Sequence, residues 1–189
     1  SVMAEVRRLI EGGVFRKMAS SIPDISSTAW STMMTGRNPG EHGIYGFTDL
    51  AWGTYDLKVF TLRDLKAEPF WAGLNRRGKR TVVLNMPATY PAPDTLDGIL
   101  VSGFVAVDLE KATVPKSLVP RLREMDYRID VDARKAHTDP DAFLADLVRT
   151  HERRVAFAGW AWENEPWDFF GLVVTGTDRL HHFLWAAAE

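Results

Sequence analysis

Apolar residues recur at helical spacing near the start of the chain, at Val2, Met3, Val6, Leu9 and Ile10, and Gly12-Gly13 closes the run, which predicts a helix. A short strand is expected through 14–18. Residues before proline avoid the α region, so Ile22-Pro23-Asp24-Ile25 reads as extended. Ser26 or Ser27 then caps a helix reaching about Thr35, stopped by Gly36 and Asn38-Pro39-Gly40. Residues 45–66 mix Trp52, Tyr55, Leu57, Val59 and Phe60 with Gly53 and several aspartates, an irregular or β-rich excursion. A helix over 68–78 ending at Gly78, followed by a strand over 80–84, is the αβ step of a parallel sheet. A second short strand is expected over 98–101. Asn85-Met86-Pro87 and Ser102-Gly103-Phe104 follow these two strands, at the strand ends where α/β sheets bind ligands.

Residues 106–140 carry Pro115, Pro120 and Pro140 and mix helical with extended pieces, which predicts an insertion or cap. From Pro140 to Glu163, Phe143, Leu144, Leu147, Val148, Val155, Ala158 and Trp162 fit one long amphipathic helix, with Asp139 or Thr138 as its cap. A buried strand is expected over 167–174 and a helix over 179–188, with Asp178 between them. The fold class expected is α/β: a largely parallel central sheet flanked by helices.

The 189 residues suit one domain. A net charge of −2 gives no electrostatic case for nucleic acid or an anionic membrane. No apolar run approaches the roughly 20 residues that span a bilayer, and the expected location is cytoplasmic. Nothing in the pattern sets an oligomeric state. There is no cysteine, so any metal must use oxygen and imidazole ligands.

Three groups of residues carry candidate chemistry. Ser26, Ser27 and Thr28 cluster at a helix N-terminus, which offers free N–H groups and a partial positive charge to a phosphate. Their bland reading is helix capping. Asp178 and His182 stand at i, i+4, so a helix presents both on one face as a pair suited to Zn²⁺, Mn²⁺ or Fe; otherwise they are a cap and a surface histidine. His42, between Gly40 and Gly43, either fixes its loop or faces a site, and the structural role is favoured.

These strings, together with Asn85-Met86-Pro87-Ala88-Thr89-Tyr90-Pro91, Val101-Ser102-Gly103-Phe104 and Asp178-Arg179-Leu180-His181-His182-Phe183-Leu184-Trp185, resemble the type I phosphodiesterase/nucleotide pyrophosphatase group of the alkaline phosphatase superfamily. The nearest likeness is to its prokaryotic branch of phosphohydrolases and phosphomutases, and it is thinnest over 105–140. The resemblance implies an alkaline-phosphatase-like α/β fold, two divalent metals (usually zinc, with manganese or iron as alternatives), and a covalent phospho-enzyme on a Ser or Thr. The nucleophile falls nine residues before Thr35, on Ser26, with Ser27 open if the loop shifts by one. Ser26 would also touch metal, the metal pair falls on Asp178 and His182, and Asn85 is a candidate substrate contact. The substrate class implied is a small phosphoester or nucleotide-like molecule. The family's first metal aspartate and its later ligands have no counterpart in 1–189, so the expectation is one partial catalytic domain with an incomplete site and an insertion within 106–140. Sulfatase or phosphomutase chemistry on the same core, or an inactive binding module, are the rival expectations.

Overall fold

The structure, a computed structural model, describes residues 3–185. Helix α1 (Ala4–Gly12) matches the first periodic run, but none of its residues is buried. Residues 14–18 form no strand, contrary to expectation, and Val14, Phe15 and Met18 are exposed. A strand needs a ladder partner, and among the described residues these find none.

Helices α2 (Ser26–Thr35) and α3 (Pro39–His42) are joined through Gly36, whose φ of 63° is the left-handed turn that ends α2. The 45–66 excursion holds an antiparallel hairpin, β1 (Thr48–Leu50) with β2 (Leu57–Val59). Helix α4 (Phe70–Asn75) leads into β3 (Thr81–Met86), then β4 (Gly98–Ser102) and β5 (Thr113–Val114). The 106–140 stretch contributes α5 (Val119–Glu124) and α6 (Lys135–Thr138). The long α7 (Pro140–Asn164) starts on Asp139, whose carboxylate accepts from the Ala142 N–H at 3.0 Å, with Pro140 in the first turn. Strand β6 (Phe169–Leu172) and α8 (Gly176–Leu184) follow. The expected continuation of that last helix over 186–188 lies outside the described residues.

The main sheet runs β5-β4-β3-β6. β3 pairs in parallel with both β4 and β6, and only β5 is antiparallel. β3 is buried throughout, as its unbroken apolar run over Val82, Val83 and Leu84 requires of a central parallel strand. Alternation sends Val82 and Leu84 with Ile99 and Val101 toward Phe157, Ala158 and Ala161 of α7. Val83, Met86 and Leu100 face Met34 of α2 and Trp71 of α4 on the other side. The chain is therefore an α/β/α sandwich, each fully buried aliphatic side chain contributing about 1.5–3 kcal/mol. β6, expected to be buried, is half-buried, because it forms the edge of the sheet among the described residues.

Candidate active site

The carboxyl ends of β3, β4 and β6 converge on one cavity of about 500 Å³. Pro87 follows β3, Phe104 follows β4, and 172–175 leave β6; all line it. Ser26 and Trp30 of α2 line it too, with Phe47 from the 45–66 excursion and Asp178, Arg179, His182 and Phe183 of α8. The structure thus brings Ser26 to one concavity with Asp178 and His182, more than 150 positions later in the chain.

Ser26 is the first residue of α2 rather than its cap, a shift of one from the expectation; Ile25, at φ −97° and ψ 139°, occupies the cap position. The carbonyl of this extended residue accepts the first helical bond, which the Ala29 N–H donates at 2.9 Å. The N–H groups of the first turn therefore have no acceptor within the helix. Ser26 is exposed, whereas Ser27 and Thr28 are buried with hydroxyls that find no partner. Ser27 borders a slot of about 20 Å³ beside the main cavity, room for about one water. The exposed hydroxyl is Ser26.

Asp178 and His182 share one face of α8, Oδ1 to Nε2 at 3.5 Å, and both side chains are more than half exposed. Two ligands of a tetrahedral zinc, at 2.0–2.1 Å from it, lie about 3.3 Å apart. The pair therefore fits one cation. No group of three or more His, Asp or Glu that could hold a metal occurs among the described residues.

His42 is fully buried and is not among the residues that line this cavity. Its Nδ1 accepts from the Ile44 N–H at 3.1 Å, which leaves Nε2 as the protonated nitrogen of the neutral ring, 2.9 Å from Thr32 Oγ1. Burial lowers its pKa below the usual histidine value, opposed by Glu41. It ties the 36–44 loop to α2, the structural role.

Asn85 turns away from the cavity. It sits at a register shift in β3 with φ 60°, a left-handed conformation that asparagine tolerates better than most residues. The side chain is fully buried. Arg154 can only donate, so the amide orientation that satisfies both groups sets its oxygen 3.1 Å from Arg154 Nη1 and its nitrogen 3.2 Å from the Ile129 carbonyl. The Asn85 amide is therefore engaged inside the protein, and Asn85 is not among the residues that line the cavity. Gly103 completes this seat: a Cβ there would lie 2.1 Å from the Asn85 carbonyl oxygen, so only glycine lets the loop that carries Phe104 close on the bulge.

Sequence reasoning missed Arg179. Only 8% exposed, it lines the cavity beside Asp178, with Nη1 3.5 Å from Asp178 Oδ2. Its Nε donates to Asp130 Oδ1 at 3.1 Å and its Nη2 to Asp130 Oδ2, a forked pair. Its guanidinium stacks over Phe104, 4.2 Å from the ring centre. Arg154, also buried, donates to Thr175 Oγ1 at 2.8 Å and approaches the same Asp130 at 3.8 Å. The one signal in the sequence was an arginine adjoining a candidate ligand, which nothing local distinguishes from a surface charge. The 106–140 stretch reaches the site through Asp130, while the 45–66 excursion supplies lining directly.

An α/β sandwich with an exposed helix-terminal hydroxyl and an Asp/His pair around one strand-end cavity defines a class suited to ester chemistry at phosphorus. The family model for type I phosphodiesterase/nucleotide pyrophosphatase matches residues 2–189, and the chain belongs to that family. Its members are phosphodiesterase and pyrophosphatase hydrolases and are generally metal-dependent. No curated protein matches the chain significantly.

Proposed function

We propose that the protein hydrolyses small phosphoesters or phosphodiesters through a covalent phosphoryl intermediate on Ser26. The observation that carries this reading is the meeting of Ser26, Asp178 and His182 in one cavity at the carboxyl ends of three parallel strands. Ser26 Oγ attacks phosphorus, the P–O bond to the leaving group breaks, and the leaving alcohol takes up a proton. Water then cleaves the phosphoserine, restoring the hydroxyl and releasing phosphate or a monoester. The free N–H groups of the first turn of α2 face growing negative charge on the phosphoryl oxygens.

Asp178 and His182 are the residues that would hold a divalent metal, and Ser26 lies on the same cavity wall. When bound, such an ion lowers the pKa of a coordinated hydroxyl or water and neutralises phosphoryl charge. Zinc suits the oxygen and nitrogen donors and their separation. Two protein ligands hold zinc less firmly than the three of a catalytic site, so weak metal binding and slow turnover are expected of the residues described. Residues 106–140 serve in this reading as an insertion that braces α8 within a single catalytic domain.

The test is hydrolysis of bis(p-nitrophenyl) phosphate with added Zn²⁺ or Mn²⁺, with mass spectrometry of acid-quenched protein. A phosphorylated peptide carrying Ser26, absent in Ser26→Ala, is the expected result. Phosphorylation elsewhere, or metal-dependent turnover that survives Ser26→Ala, would discard the assignment.

A further inference from the structure

We propose that Arg179 binds the non-bridging oxygens of the substrate's phosphoryl group, and that Asp130 is the positioning residue that aims it. The inference rests on the reading of the cavity as a phosphoester site and deepens it. Two of the three guanidinium nitrogens are taken by the Asp130 fork, and the ring of Phe104 covers one face. The third, Nη1, lies on the Asp178 side, with a contact at 3.5 Å that is too long to use its donors fully. An arginine held on two sides loses little further freedom when it binds an anion.

Charge points the same way. Arg154 and Arg179 share one carboxylate, Asp130, so the buried group carries one surplus positive charge beside the cavity. Asp178 is the nearest carboxylate that could balance it, and only through the long contact. A cation engaged by Asp178 would leave that surplus for a substrate anion. The planar fork suits two phosphoryl oxygens better than an ammonium would.

The bland account makes Arg179 a tether that fastens α8 to the 126–134 segment and nothing more. Calorimetric titration of inorganic phosphate into the purified protein, in chelating buffer so that no metal contributes, separates the two. Arg179→Gln is expected to weaken phosphate binding roughly tenfold or more, as loss of a charged hydrogen-bond donor implies, and Arg179→Lys less. Asp130→Asn, which keeps size and shape, is expected to weaken phosphate binding about threefold or more while leaving Zn²⁺ affinity unchanged. Phosphate affinity unaltered in a folded Arg179→Gln protein overturns the proposal, as does an unsubstituted protein that binds no phosphate. If Arg179→Gln does not fold, the Asp130→Asn titration decides, and unchanged affinity there overturns it. Ser26→Ala keeps the two readings apart: it should abolish turnover and leave phosphate binding intact, so loss of the nucleophile assignment and loss of the Arg179 assignment give different results.

Discussion

Helix α2 presents Ser26 from a segment whose other side is core: Ser27, Thr28, Ser31 and Met34 are buried, and Met34 packs with Trp71, Val83 and Leu100 beneath the sheet. Helix α8, across the same cavity, presents Asp178 and His182 from a segment in which Arg179 alone is buried. The α2 side of the site is thus anchored through Met34 in the core beneath the sheet, the α8 side through the Arg179–Asp130 ion pair together with Phe183 against the buried Phe143. Packing of this kind is stiff, since a displaced methylene is felt throughout a close-packed core. A charged fork fixes direction while leaving the Asp178 and His182 face of its helix open to solvent. The α2 side therefore comes with its geometry built in, and the exposed Asp178 and His182 side chains of α8 have room to adjust.

The largest expected effect is on the α2 side. Ser26→Ala should lower turnover by about 10³-fold or more, as removal of a nucleophile does, with stability unchanged within about 0.5 kcal/mol because the side chain is exposed. Ser27→Ala should leave turnover within a few-fold. Kinetics in which Ser27→Ala is the inactive variant would break the comparison by moving the reaction to the buried hydroxyl. Next, Met34→Ala should cost about 2–5 kcal/mol in denaturant unfolding, whereas His181→Ala on the exposed part of α8 should cost about 0.5 kcal/mol or less. Equal losses would mean that both helices are core-bound.

Asp178→Ala should weaken Zn²⁺ binding, read by competition with a chromogenic chelator, by at least the roughly 10–100-fold that loss of an outer-shell partner costs a metal site. The melting temperature of the metal-free protein should hardly move, because the side chain is half exposed. A metal affinity indifferent to this change would place the ion elsewhere. The smallest effect concerns pH. Burial lowers the His42 pKa, so the unfolded chain takes up a proton that the folded protein resists. Stability from this group is full above the ordinary value of 6.5 and declines as pH falls below it. Unfolding midpoints between pH 7 and pH 5 should show that decline, and His42→Ala should flatten it. The aspartates with lowered pKa, among them Asp168 beside Lys79, act below this window. A slope unchanged in His42→Ala would assign the acid sensitivity to another group.

Much of the architecture was legible because its causes are local. The 3.6-residue period of α7, the proline and capping aspartate at its start, the apolar run of β3 and the Gly36 stop of α2 are each written within a few neighbouring positions. The motif strings around Ser26 and Asp178 were legible for the same reason, and they carried the family. Tertiary structure decided what depends on distant partners. Residues 14–18 have strand-like side chains but no ladder, and β6 is half-buried because of where the sheet places it. Ser26 and Ser27 are equivalent as letters, and only the packing of α2 exposes one and buries the other. Asn85 stands at a strand end where ligands bind, yet the bulge and Arg154 turn it inward. Arg179 acquires its place in the cavity from Asp130, 49 positions earlier in the chain. Periodicity reports which face of an element is apolar, but a polar side chain's role is set by the charges and carbonyls that folding brings beside it, and those are not encoded in its neighbours along the sequence.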